Sequence, residues 1–141
     1  YYFDRLVKNS SALECFRALF GDEREDYSAA LEVYYAKKTS MQRDPDLISH
    51  YAQAHPLEDW AEVWSHYLHM VDTLETAAAY GMQQGSELSD DIDQLLAKWS
   101  QLSMMLNSLN RSMGLEDAYP FVLSDLTLKK LRFVHGLIYP S

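Results

Sequence analysis

The chain has 141 residues, 48% of them hydrophobic and 13% aromatic, which suits one globular domain with its own core and excludes disorder. Its formal net charge is −9 and its twelve Lys and Arg are scattered, so there is no basic footprint for nucleic acid. A single cysteine rules out an internal disulfide framework, and no apolar run reaches the roughly eighteen residues that would span a membrane.

The periodicity is helical nearly throughout, with no period-two alternation between hairpin signals, so an all-α fold of about five to six helices is expected. Tyr1 to Lys8 reads as the end of a helix already in progress, because it has no N-cap of its own and stops at Asn9-Ser10-Ser11. The chain opens Tyr-Tyr-Phe instead of on Met, so translation is expected to start upstream. A second helix should begin with a capping box of Ser11 and Glu14 and end at Gly21. Within it Cys15 reads as a small buried hydrophobe.

Asp22 to about Lys37 predicts a third helix, acidic in its first turn and basic at its end, with Tyr27, Leu31, Tyr34 and Tyr35 on one face. A loop with Pro45 follows, then a short helix near Leu47 to Ala54. Pro56 suits the first turn of a long helix reaching about Tyr80, with Gly81 at its end. Gln83 to Ser89 reads as a connector. From Asp90 to Met113, Ile92, Leu95, Leu96, Trp99, Leu102, Leu106, Leu109 and Met113 repeat at three- and four-residue steps and predict a core stripe. Ser124 can cap a last helix with Leu131, Val134 and Ile138 on one side. Neither a repeat nor a second domain is evident, so residues 1–141 read as a single helical domain.

The segment His55 to His69, HPLEDWAEVWSHYLH, holds three of the five histidines. Trp60, Trp64, Tyr67, Val71, Leu74 and Ala78 form its core side, while Glu58, Glu62, His66 and His69 stack along a polar stripe. That stripe is either a solvated face with i,i+4 pairing or part of a metal site in which Glu58 is a ligand and Glu62 orients its surroundings. The usual histidine pair of a catalytic zinc, HExxH, is absent from these residues. His66 and His69 could pair with Glu62 in a bundle metal site, although the Glu-x-x-His tetrad of such sites is missing. His50 and His135 read as partly buried or capping histidines, and Asn110 and Arg111 as capping and ion-pairing residues.

The segments YYFDRLV, FRALFGDEREDYSAAL, YAQAHPLEDWAEVWSHYLHMVDTLETA, LNSLNRSMGLEDAYPFVLS and KLRFVHGLI together resemble the C-terminal part of the bacterial zinc-binding metallopeptidases, a gluzincin-like family. The resemblance implies the helical C-terminal subdomain of a zincin-like fold, with Tyr1 just after the second His of HExxH. That motif and the N-terminal zinc-ribbon segment would then lie outside this chain. It carries the third zinc ligand to Glu58, the first Glu of Glu58-Asp59-Trp60-Ala61-Glu62, and a supporting role to Glu62. It also carries an oxyanion-stabilising role to Tyr51, seven residues before Glu58. His55 either lines the cleft or is an ordinary loop histidine.

The implied chemistry is peptide hydrolysis, in which zinc polarises the scissile carbonyl and acidifies a water, with a peptide or protein as substrate. The chain would supply one ligand and cleft walls, would be inactive and poor at holding zinc alone, and would tend to self-associate. The alternatives are an acidic helical interaction module or a vestigial peptidase fold without catalysis. Nucleic acid and membrane are not expected as partners, and the setting expected is cytoplasmic.

Overall fold

The computed structural model describes residues 1–82 and 91–140. Its elements are α1 (Tyr2–Leu6), α2 (Leu13–Phe20), α3 (Tyr27–Lys37), a 3₁₀ turn (Tyr51–Ala54), α4 (Pro56–Ala79), α5 (Ile92–Ser112) and α6 (Asp125–Ile138). No strand occurs among the described residues, so the fold is all-α, as the periodicity predicts. The expected connector Gln83 to Ser89 lies outside the described residues.

Helix ends follow local polar chemistry, with three corrections. The capping box at Ser11 does not form: α2 starts after Ala12, and no side chain caps it. Ser10 takes the junction instead, donating to the Leu6 and Val7 carbonyls at 2.9 and 3.0 Å and accepting from Ala12 N–H at 3.1 Å. Its hydroxyl closes α1, and the following turn delays α2. The second correction is α3, which starts at Tyr27 and not at Asp22. Asp22 is spent on a turn that accepts from Arg24 N–H at 3.0 Å, while Asp26 is the N-cap, accepting from Ala29 N–H at 2.9 Å. The short helix expected near Leu47 to Ala54 contracts to the 3₁₀ turn. Ser124 caps α6 through Thr127 N–H at 3.1 Å, as its position predicts.

The chain packs as two compact units. The first comprises Tyr1–Ser65 with Leu123–Ser141, and the second His66–Val122, so residues of α4 belong to both. An aromatic cluster forms the first unit's core. Phe16 stacks on Phe20 at 4.9 Å and tilts against Phe3 at 4.8 Å, and Trp60 sets an edge toward Phe20 at 5.7 Å and Phe133 at 6.1 Å. Gly21 has φ 103°, and a Cβ there would meet Pro56 Cγ at 3.1 Å, so glycine allows both the left-handed turn and the close approach of α4. In the second unit Tyr67, Met70, Leu74, Leu95, Trp99 and Leu102 are buried.

Three readings of side-chain placement change. Cys15 is exposed, because Phe16 and Phe20 take the core side of α2 and Cys15 sits about 100° around the helix from Phe16. The stripe on α5 is buried at Leu95, Trp99 and Leu102, but Leu109 and Met113 are exposed toward its end. Similarly, Ile138 is exposed where α6 ends, whereas Leu131 and Val134 are fully buried.

The core side of α4 also holds an acid. Asp59 accepts a hydrogen bond from Lys130 Nζ on α6 at 2.6 Å, with both residues buried. The Lys130 ammonium also lies 5.2 Å from the Phe20 ring centre. Burial pushes the Asp59 carboxyl up, against the pull of Lys130 in the opposite direction.

Candidate metal-ligand site at the start of α4

Glu58 lies in the first turn of α4, where a carboxylate is favoured by the helix dipole, and it is half-buried. Tyr27, the first residue of α3, donates its hydroxyl to Glu58 Oε1 across thirty-one residues of sequence. No other hydrogen bond to the Glu58 carboxylate exists among the described residues, so Oε2 is left over as a donor atom. The Glu58 bond, followed by burial, raises the pKa of the Tyr27 phenol.

Tyr51 belongs to the same cluster. Its ring packs edge-on to Tyr34 of α3 at 5.7 Å. Burial, then the charge of Glu58 and the neighbouring phenols of Tyr27 and Tyr35, push its pKa up to about 12. Glu62, one turn further along α4, is half-buried and makes no hydrogen bond among the described residues.

His55 is the loop histidine and not a cleft residue: it is buried and both ring nitrogens are engaged. Nδ1 accepts from Leu57 N–H at 3.1 Å, which leaves the proton on Nε2 to donate to the Glu25 carbonyl at 3.1 Å. This ring therefore ties the backbone just before Tyr27 to that just before Glu58. His50 is half-buried, bonded to the Tyr34 hydroxyl at 2.8 Å through Nδ1 and to the Met41 carbonyl at 3.1 Å through Nε2. Asn110 donates to the Glu116 carbonyl and Arg111 makes a two-point pair with Asp117 at 2.6 Å, the structural roles expected of them.

The first unit also holds a cleft of about 540 Å³ walled by Tyr1, Tyr2, Leu57, Trp60, Ala61 and Trp64. Tyr2 stacks on Trp64 at 4.8 Å, and Asp4, Lys8, Glu23 and Arg24 supply charge at its margin. Leu57 directly precedes Glu58 and Ala61 follows it by three residues, so the start of α4 carries both the carboxylate and part of the apolar wall.

In the second unit, His66 Nε2 and the Tyr119 hydroxyl are hydrogen-bonded at 2.7 Å, and the Trp99 and Phe121 rings stand edge-on to the imidazole. Asn107 fastens Tyr119 by bonding its backbone N–H and C=O, each at 2.8 Å. Burial, with a smaller push from His69, lowers the His66 pKa to about 4. His66 is thus a neutral packing residue.

Among the described residues no group of three or more His, Cys, Asp or Glu side chains gathers to hold a metal ion. Glu58 by itself fits one oxygen ligand of a zinc ion, not a complete set. Sequence reasoning did not single out Tyr27, Asp59 or Lys130 as site or anchor residues. For Asp59 a signal existed: it stands four residues before Val63 and eleven before Met70, both fully buried, so helical spacing places its carboxylate on the apolar side. For Tyr27 none did, since its partner is remote in sequence.

Comparison with known proteins supplies the family. Residues 1–137 match the family described as "Putative zinc-binding metallo-peptidase", and the chain belongs to that family. It is similar to uncharacterized proteins of Mycobacterium bovis and of two strains of Mycobacterium tuberculosis, each 42% identical over 146 residues. Those alignments cover 98% of this chain and 43% of each relative, so the chain spans less than half the length of the relatives it matches. No solved structure matches it. Among the described residues no helix is long and apolar enough to cross a membrane.

Proposed function

We propose that this chain is the part of a zinc-dependent peptidase that supplies the third metal ligand, Glu58, and walls of the substrate cleft. The observation that carries the reading is the Glu58 carboxylate in the first turn of α4, with one oxygen bonded by the Tyr27 hydroxyl and the other without a partner among the described residues. The two histidines and the general base would come from an HExxH segment outside these residues. Zinc, when bound, supplies Lewis-acid polarisation of the scissile carbonyl and an acidified water.

The chain's own residues do the rest. Glu58 offers Oε2 as a ligand, its other oxygen being taken by Tyr27. The Tyr51 hydroxyl donates to the oxygen on which negative charge develops as the peptide carbonyl is attacked, which stabilises the transition state more than the substrate. Glu62 orients a ligand histidine from the next turn of the same helix. Tyr2, Leu57 and Trp64 exclude water and receive an apolar side chain of a peptide or protein substrate in the cleft.

The test uses the complete gene product. Glu58→Gln is expected to abolish stoichiometric zinc, read by metal analysis after dialysis. Tyr51→Phe is expected to keep the zinc and lose about 10²–10³-fold in kcat on a peptide substrate. Zinc retained at full occupancy by Glu58→Gln would refute the ligand assignment, and unchanged turnover in Tyr51→Phe would refute the role of the phenol.

A further inference from the structure

The Tyr27–Glu58 contact joins the first residue of α3 to the first turn of α4, and its surroundings are built to hold it. Asp26 caps α3 through Ala29 N–H at 2.9 Å and so sets where Tyr27 leaves the helix. The Tyr27 ring rests edge-on against the His55 ring at 5.2 Å. His55, buried, is pinned between the Glu25 carbonyl and the Leu57 N–H, two residues before Tyr27 and one before Glu58. Both partners are thus anchored through the same imidazole.

A glutamate side chain left to itself samples several rotamers, and either carboxylate oxygen can face a ligand. With Oε1 accepting from a phenol, the carboxylate plane is held and Oε2 is the oxygen without a partner among the described residues. Carboxylates that bind metals are themselves hydrogen-bonded by neighbours of this kind, and losing such a neighbour costs about 10–100-fold in metal affinity.

We propose that Tyr27 is a positioning residue for Glu58, holding Oε1 so that the carboxylate presents one oxygen, Oε2, to the metal. The inference rests on the reading of Glu58 as a zinc ligand. It adds a residue thirty-one positions away in sequence and specifies binding through a single oxygen.

The test is the zinc affinity of the apo full-length protein, measured by competition with a chromophoric chelator, for wild type, Tyr27→Phe, Glu58→Gln and the double variant. Thermal unfolding of each apo form is followed alongside. Tyr27→Phe is expected to weaken zinc binding about 10-fold or more while leaving the apo transition in place. In the Glu58→Gln background the same change should have no further effect, because the two residues act as one unit. Wild-type affinity in Tyr27→Phe, with Glu58→Gln impaired, would overturn the positioning role and leave the ligand assignment standing. An equal loss in both backgrounds would also overturn it, since Tyr27 would then act elsewhere. Wild-type affinity in Glu58→Gln would instead sink the ligand assignment and this inference with it.

Discussion

Lys130 Nζ lies 2.6 Å from Asp59 Oδ2, with the two side chains only 2% and 4% exposed, so one ion pair ties the first turn of α4 to the middle of α6 inside an aromatic core. Asp59 is the residue after Glu58, which makes this pair an anchor for the turn that carries the proposed ligand.

Removing one partner strands the other charge in the core. Lys130→Met should destabilise the chain by about 3–5 kcal/mol, whereas Asp59→Leu combined with Lys130→Met should recover most of that loss. Urea denaturation of the three proteins measures both, and a single variant as stable as wild type would contradict the buried pairing.

His66 gives a pH dependence with a definite sign. Its folded pKa of about 4 lies below the ordinary 6.5, so the unfolded chain binds more protons between those values. The contribution is fully present above pH 6.5 and is lost as pH falls toward 4; the gap between the two corresponds to roughly 3 kcal/mol before discounting for the part still exposed to solvent. His66→Gln should flatten this stretch of a stability curve recorded from pH 7 to pH 4. A variant curve parallel to wild type would count against the buried imidazole.

Phe16 is fully buried and touches Phe3, Phe20 and Trp60. Phe16→Ala should therefore cost about 3–5 kcal/mol through lost burial and the cavity left behind. Ser124→Ala, which removes only the cap on Thr127 N–H, should cost about 1 kcal/mol. The ratio of the two losses, read from chemical melts, checks which contacts dominate the first unit.

Cys15, exposed on α2, should react one-to-one with a thiol reagent in the native protein at a rate close to that of the unfolded chain. Protection that disappears only on adding denaturant would contradict the exposure and place the thiol inside the core.

Local signals carried much of this fold. The helical periods, Pro56 opening α4, Gly21 closing α2 and Ser124 capping α6 are all properties of a few neighbouring residues, and each is found where those residues put it. The capping box at Ser11 was equally local and did not form, because Ser10 had a competing use at the end of α1. The first turn of α3 was lost in the same way to the turn made by Asp22. In the candidate site, Tyr51 and Glu58 stand seven residues apart, and it was the family resemblance that connected them.

Helix type, approximate length and the apolar side of each segment follow from interactions within one or two turns, so the order of residues suffices for them. Which charge meets which is a different matter. The partners Tyr27 and Glu58, Lys130 and Asp59, and His66 and Tyr119 are separated by 31, 71 and 53 residues. Nothing local encodes such pairs, because a polar side chain can satisfy itself with water until packing removes the water and leaves one neighbour within reach. The exposure of Cys15 was decided in the same way, by which side of α2 the aromatic core covered.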